Sequence, residues 1–269
     1  MDGQGPGELK KVVYGPVPSW RLGRSLGIDL LSRAKTCSLD CIYCQLGPTA
    51  DKVTRRAEFV PTERVVAEMK DLPDVELDFV TFSGMGEPTL ASNLGEAIAE
   101  AGDRLQSPVA VLTNSSLIAD PEVRAELALA DFVVAKLDAP DEDLFRAVNR
   151  PANGIQFQSV LAGLRQFRDD YAGRLAVQVM FCKQNRDRAG EIAAAIRELR
   201  PDEVQLNTPL RPSPTAPLSP QQMREIGQAF VGLPTVSVYE AGEVTVETLD
   251  AAETAARRPQ ASGRPEGSL

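Results

Sequence analysis

Apolar residues along this chain follow two rhythms. In "LDFVTF" (77–82), "PVAVL" (108–112), "DFVVAKL" (131–137), "LAVQVMF" (175–181) and "EVQLN" (203–207) they run with few breaks, as in strands covered on both faces. "SLGIDLL" (25–31) reads as a first strand of the same kind. Between these runs the apolar positions recur every three or four residues, the period of one helix face. Val65, Met69 and Leu72 form one such stripe, Leu94, Ala97, Ile98, Ala101 and Leu105 a second, and the segment 155–167 a third. Ile192, Ile196 and Leu199 follow Asp187, read as a helix cap, and Met223, Ile226 and Phe230 follow the start signal Ser219-Pro220. Asp120-Pro121-Glu122 also opens a helix, with a capping side chain, a first-turn proline and a first-turn acid. "TVSVYE" (235–240) adds a candidate edge strand.

Six alternations of apolar strand and amphipathic helix predict an α/β fold, a parallel sheet covered by helices. Right-handed crossovers roll such a sheet into a barrel or part of one. A doubly wound sheet is the competing arrangement, and no GxGxxG or GxxxxGK[ST] follows any strand to favour it. In both arrangements ligands gather at the carboxyl ends of the strands. Residues 12–249 read as one domain. The flanks 1–11 and 250–269 are polar, rich in Gly, Ala or Pro and without apolar periodicity, and read as a flexible and a disordered tail. No apolar run approaches the roughly 20 residues that cross a bilayer. "MDGQGPGELKK" has no apolar signal core, so the expected location is the cytoplasm, without a membrane partner.

Polar groups cluster at the predicted strand ends. A cysteine-rich loop follows the first strand, Gly84, Gly86 and Glu87 the second, and Thr113-Asn114 the third. Lys136 and Asp138 close the fourth strand, Gln178 lies on the fifth ahead of Cys182-Lys183, and Asn207-Thr208 end the sixth. Loops are polar in general, so none of these residues marks a site by itself. Arg21, Arg24, Arg150 and Arg211 are spaced so that some could line the same mouth and hold a phosphate or carboxylate; surface solubility explains each equally well. Gln178 joins them as a substrate-binding candidate. The proline-rich stretch 209–220 reads as a cover over that mouth or as a plain connector.

Composition narrows the chemistry. The chain has no histidine, which removes Ser-His-Asp and Cys-His machinery, HExxH zinc sites and His-ligated haem. Its formal net charge of −9 offers little for broad nucleic-acid binding. Of its four cysteines, Cys37, Cys41 and Cys44 fall within the one stretch "CSLDCIYCQLG". Thiols stay reduced in the cytoplasm, so a disulfide framework is not expected. A structural zinc wants four ligands, and Cys182 or Asp40 would have to complete the set. Cys41-x-x-Cys44 alone has the form of a redox dithiol, which leaves Cys37 unexplained. A cubane iron–sulfur cluster takes one thiolate per iron, so three thiolates leave one iron open. Cys182 itself reads as a buried strand residue.

CxxxCxxC with an aromatic residue before its last cysteine resembles the radical S-adenosylmethionine (radical SAM) superfamily. "GPVPSWRLGRSLGIDLL", "FSGMGEPTL" and "QLNTPLRP" extend the likeness across roughly residues 12–212, toward the branch with the wybutosine-synthesis (tRNA-modifying) radical enzymes. The resemblance implies a partial (β/α)6 barrel and an enzyme. Cys37, Cys41 and Cys44 would bind a [4Fe–4S] cluster whose open iron is chelated by SAM. Tyr43 would lie beside the adenine, and Gly84, Gly86 and Glu87 match the motif that receives the methionyl amine. Thr113, Asn114 and Asp138 become candidates for the ribose hydroxyls, Lys136 for the SAM carboxylate and Asn207 for the adenine. It further implies a one-electron donor such as flavodoxin or ferredoxin, and a 5′-deoxyadenosyl radical that takes hydrogen from an unidentified substrate. Wyosine-forming relatives carry cysteines for a second cluster, which Cys182 alone cannot hold, so tRNA is disfavoured as the partner.

Overall fold

The strands predicted from unbroken apolar runs lie between two apolar surfaces in the computed structural model, which describes residues 11–31, 34–242 and 244–259. β1 (Val13–Ser19) and β2 (Gly23–Ile28) pair antiparallel. β3 (Phe79–Phe82), β4 (Val109–Thr113), β5 (Phe132–Lys136), β6 (Arg174–Met180), β7 (Glu203–Asn207) and β8 (Thr235–Ser237) then follow, each parallel to the one before. Sheet order is chain order, and the eight strands curl as an open half-barrel. Around it run α1 (Thr62–Lys70), α2 (Leu94–Leu105), α3 (Pro121–Leu127), α4 (Glu142–Val148), α5 (Phe157–Asp170), α6 (Ala189–Leu199), α7 (Pro220–Gly227) and α8 (Ala251–Arg257).

The alternation of side chains along each strand builds two layers. Val109 and Val111 of β4, Val133 and Ala135 of β5, and Leu175, Val177 and Val179 of β6 join the main core with Leu127, Leu164 and Ile196 of the helices. Their neighbours Ala110, Phe132, Val134 and Ala176 meet Leu22 in a second cluster near the amino ends of the strands, which floors the lumen. Further along the same inner face polar groups appear, Gln178 donating to Gln205 at 3.1 Å. The helix starts follow their local signals. Asp120 accepts from the Glu122 N–H at 2.9 Å ahead of Pro121, and Ser219 and Gln222 form a reciprocal capping box on α7.

Four expectations are corrected. The predicted first strand stops at Ile28 and is preceded by β1, whose pattern is broken by Gly15-Pro16 and a register shift between Tyr14 and Val17. α4 was not foreseen; Asp141 caps it by accepting from the Leu144 N–H at 2.9 Å. Asp187 does not cap a helix but lies in a 3-10 turn, 3.3 Å from Arg186. Part of the expected tail 250–269 is helix α8, capped by Asp250 and packed on β1.

Inside α8, Arg257 is fully buried because it has partners for its charge. Its Nε donates to Asp29 Oδ2 at 2.8 Å, Nη1 to Glu253 Oε2 at 2.8 Å and Nη2 to the Lys11 carbonyl at 2.6 Å, while the guanidinium lies 4.8 Å from the Tyr14 ring centre. Lys11, at the edge of the expected amino-terminal tail, is thereby tied into the domain; residues 1–10 and 260–269 lie outside the described residues. No helix among the described residues is long and apolar enough to cross a membrane.

Candidate functional site

The cysteine loop leaves the carboxyl end of β2 and is pinned by backbone. Thr36 pairs with the glycine loop after β3: its N–H donates to the Met85 carbonyl at 2.8 Å, and its own carbonyl accepts from the Glu87 N–H at 3.0 Å. A side chain at Gly86 would place Cβ 1.7 Å from the Thr36 oxygen, so only glycine allows the two loops to meet. Gly84 is likewise filled on its open side, by the Asp29 carboxyl, whose Oδ2 accepts from the Met85 N–H at 3.2 Å. Gly86→Ala is expected to cost at least about 1 kcal/mol and lower the melting temperature by roughly 3 °C or more. Gly190→Ala, in α6 with nothing within 4 Å of the new methyl, should leave it unchanged or slightly raised. Thermal unfolding of the two variants checks both.

Glu87 is buried and fully used by protein. Oε1 accepts from the Thr89 N–H at 3.2 Å and from the hydroxyls of Thr89 (2.7 Å) and Thr113 (2.6 Å), and Oε2 from the Asn114 N–H at 2.6 Å. Burial raises its pKa, and these donors act against that shift by favouring the carboxylate. Glu87 therefore locks the glycine loop to the end of β4, and the Thr113 hydroxyl, expected at a ribose, is spent on it. Asn114 turns to the cysteine loop instead, Nδ2 donating to Cys37 Sγ at 3.4 Å and to Ser38 Oγ at 3.1 Å.

Asp138 is likewise committed. Its Oδ1 accepts from the Met180 N–H at 2.7 Å, and its Oδ2 from Asn149 Nδ2 at 2.7 Å and from the Tyr43 hydroxyl, with Lys136 Nζ 3.5 Å away. The Lys136 ammonium also sits 4.4 Å from the Tyr43 ring centre. Asp138 and Lys136 thus both hold Tyr43, one through its hydroxyl and the other over its ring. Asn149 was not singled out from the sequence, having no motif around it. It joins this network to the cysteines, donating to Cys41 Sγ at 3.4 Å and to the Tyr43 hydroxyl at 3.0 Å.

The three thiols are half-buried. Burial pushes the Cys37 thiol up to about 12 and raises that of Cys41, so without a bound cation both hold their protons. Among the described residues no three His, Cys, Asp or Glu side chains converge on a single-ion site. A cubane makes a wider demand, one sulfur per iron around its own volume. Three thiols on one loop, with amide N–H groups already aimed at two of the sulfurs, fit that demand. Cys182 stands outside the triplet. It is buried, its N–H donates to Asn185 Oδ1 at 2.8 Å, and burial raises its pKa.

One wall of a cavity of about 270 Å³ inside the half-barrel is formed by Tyr43, Cys44, Gly84 and Gly86. Gln178, Asn207, Arg21 and Arg211 also line it, whereas Glu87, Thr113, Asn114, Lys136 and Asp138 do not. The stretch after β7 covers it: Pro209 to Arg211 line the cavity, and the Thr215 hydroxyl donates to the Ile42 carbonyl at 2.9 Å. Two candidate arginines lie elsewhere. Arg24 is at the amino end of β2, bound to Asp78 and Glu76 at the far end of the sheet from the cysteines. Arg150 is exposed outside the cysteine loop, 3.6 Å from Asp40. α8 supplies two lining residues absent from the sequence reading, Arg257 and Arg258.

The family model of the Radical SAM superfamily matches residues 31–205. A UPF0026 protein of Synechocystis sp. is 41% identical over 203 residues, covering 75% of this chain and 77% of that protein. The Streptococcus suis SuiB structure with S-adenosylmethionine bound superposes with a TM-score of 0.60 at 16% identity, over 76% of this chain and 48% of SuiB. The structure of TYW1 with a lysine-pyruvate adduct gives 0.57 at 14% identity, over 83% of this chain and 76% of that one. At these identities the two structures speak for the fold alone.

Proposed function

This chain belongs to the radical SAM superfamily and to its UPF0026 group, whose superfamily members use a [4Fe–4S] cluster and SAM, and on that premise we propose that it is an enzyme that cleaves SAM reductively and takes hydrogen from a substrate in the half-barrel. The observation that carries this reading is the cysteine triplet at the carboxyl end of β2, opening through Cys44 and Tyr43 onto the cavity. Cys37, Cys41 and Cys44 would hold the cluster. When bound, cluster and SAM supply one-electron cleavage of the S–C5′ bond and hence a 5′-deoxyadenosyl radical.

The protein's own part is to position and to seclude. Asn114 and Asn149 orient Cys37 and Cys41 through N–H···S contacts at 3.4 Å, which favour the thiolate form. Glu87 holds the glycine loop to the end of β4, with Gly84 and Gly86 at the cavity wall. Asp138, Asn149 and Lys136 fix the Tyr43 ring at the cavity wall, where an adenine or another flat group can lie against it. The covering stretch 209–211 and the apolar floor limit access of water. A one-electron donor of the flavodoxin or ferredoxin kind completes the system.

The test is direct. Full-length protein, purified without oxygen and supplied with iron, sulfide, SAM and dithionite, is expected to release 5′-deoxyadenosine. A cluster-loaded preparation that forms none would remove the enzymatic reading.

A further inference from the structure

The inner wall of the cavity carries a concentration of positive charge that the steps above leave unused. Arg21, from the turn joining β1 to β2, Arg211, after β7, and Arg258, at the end of α8, all line it. Arg257, beside them, spends its guanidinium on Asp29, Glu253 and a carbonyl. No carboxylate among the described residues lies within ion-pair distance of the other three. Arg21 Nε is buried and has no hydrogen-bond partner, although the guanidinium rests over the Trp20 ring at 5.1 Å. Buried donors are nearly always satisfied, and because the Arg21 side chain lines this cavity, an acceptor for its guanidinium can come from there.

The electrostatics agree. Burial, then Arg258 and Arg211, lower the Arg21 pKa to about 9, and burial and Arg258 lower that of Arg211 to about 9. The one carboxylate that acts on Arg21 is Glu203, which is engaged with Arg174 and, at 2.7 Å, with Gln205 Nε2. An anion is the group that relieves this repulsion.

We propose that this wall is a subsite for a phosphoryl group of the substrate, gripped by Arg21, Arg211 and Arg258. Guanidinium forks match phosphate oxygens in pairs, and a phosphoryl group brings more than one negative charge to three cations. A single carboxylate would leave most of that charge unmet. The same cavity reaches Cys44, Tyr43 and Gly84, so a phosphorylated molecule held here extends its carbon skeleton toward the cysteine loop.

The proposal rests on the preceding reading only in taking the cavity as the substrate's. Its test therefore uses the full chain without cluster or SAM, so that loss of anion binding and loss of SAM cleavage are separate results. Calorimetric titration with inorganic pyrophosphate at low salt should give saturable binding. Arg21→Gln and Arg258→Gln should each weaken it by about 10- to 100-fold, and malonate should bind the wild type at least about tenfold more weakly. Ligand-free Arg21→Gln should melt no lower than wild type, because the substitution removes a buried charge that has no partner, and pyrophosphate should raise the wild-type melting temperature. Four outcomes would each overturn the proposal: no saturable heat, equal binding by the variants, equal binding of malonate, or displacement of pyrophosphate by SAM.

Discussion

Cys41→Ala is expected to abolish both the broad visible absorbance of an iron–sulfur cluster and 5′-deoxyadenosine formation after anaerobic reconstitution. Cys41 is the middle thiol of the triplet, packed against the core and facing the Asn149 amide N–H at 3.4 Å. Its removal leaves two thiols, too few for a cubane with one open iron. Alanine is smaller by one sulfur atom in a half-buried position, so the fold should survive and the loss should lie in the metal. Cys182→Ala is the matched control. That cysteine is fully buried and bonded to Asn185, and its variant should load iron and cleave SAM as the wild type does. Iron analysis, absorbance and product chromatography decide the matter. Full loading of Cys41→Ala, or a wild type that carries one zinc and no iron, would overturn the ligand assignment.

The second large effect is on stability. Arg257→Met should destabilise the protein by about 3–5 kcal/mol, because it removes the guanidinium that Asp29, Glu253 and the Lys11 carbonyl share in the interior. For a chain of this size that is roughly 6–20 °C in melting temperature. The side chains concerned are almost without solvent contact, 0% for Arg257 and 1% for Asp29. Salt screening therefore gives little relief, and the loss should persist at high ionic strength. A double variant, Asp29→Asn with Arg257→Met, should lose clearly less than the sum of the two single losses, since the members of a direct pair are not additive. A melting temperature for Arg257→Met within about 2 °C of wild type would contradict the role given to α8.

The sheet was largely legible because its strands are covered on both faces, and each such strand is an unbroken apolar run such as "DFVVAKL". β1 escaped notice because Gly15-Pro16 and the register shift after Tyr14 interrupt its alternation. α8 escaped because its most buried side chains are Glu253 and Arg257, and hydrophobic patterning cannot see a charge buried by its partners. The site divides in the same way. Three cysteines adjacent in sequence announce themselves, as do glycines between a strand and a helix. Glu87, Thr113 and Asp138 were rightly placed at strand ends, but their direction depends on partners far along the chain, such as Asn114 for Glu87 and Tyr43 for Asp138. Asn149 and Arg258 carry no motif, and only the folded chain brings them to the cysteine loop and the cavity.

Because every strand is hydrogen-bonded to the one preceding it, the half-barrel can grow at a single edge as the polypeptide leaves the ribosome. Closure is different: Arg257 is synthesised 228 residues after the Asp29 it clasps. Asp29 also holds Met85 and fills the space beside Gly84, so one carboxylate ties this late segment of the chain to the glycine loop beside the cysteines.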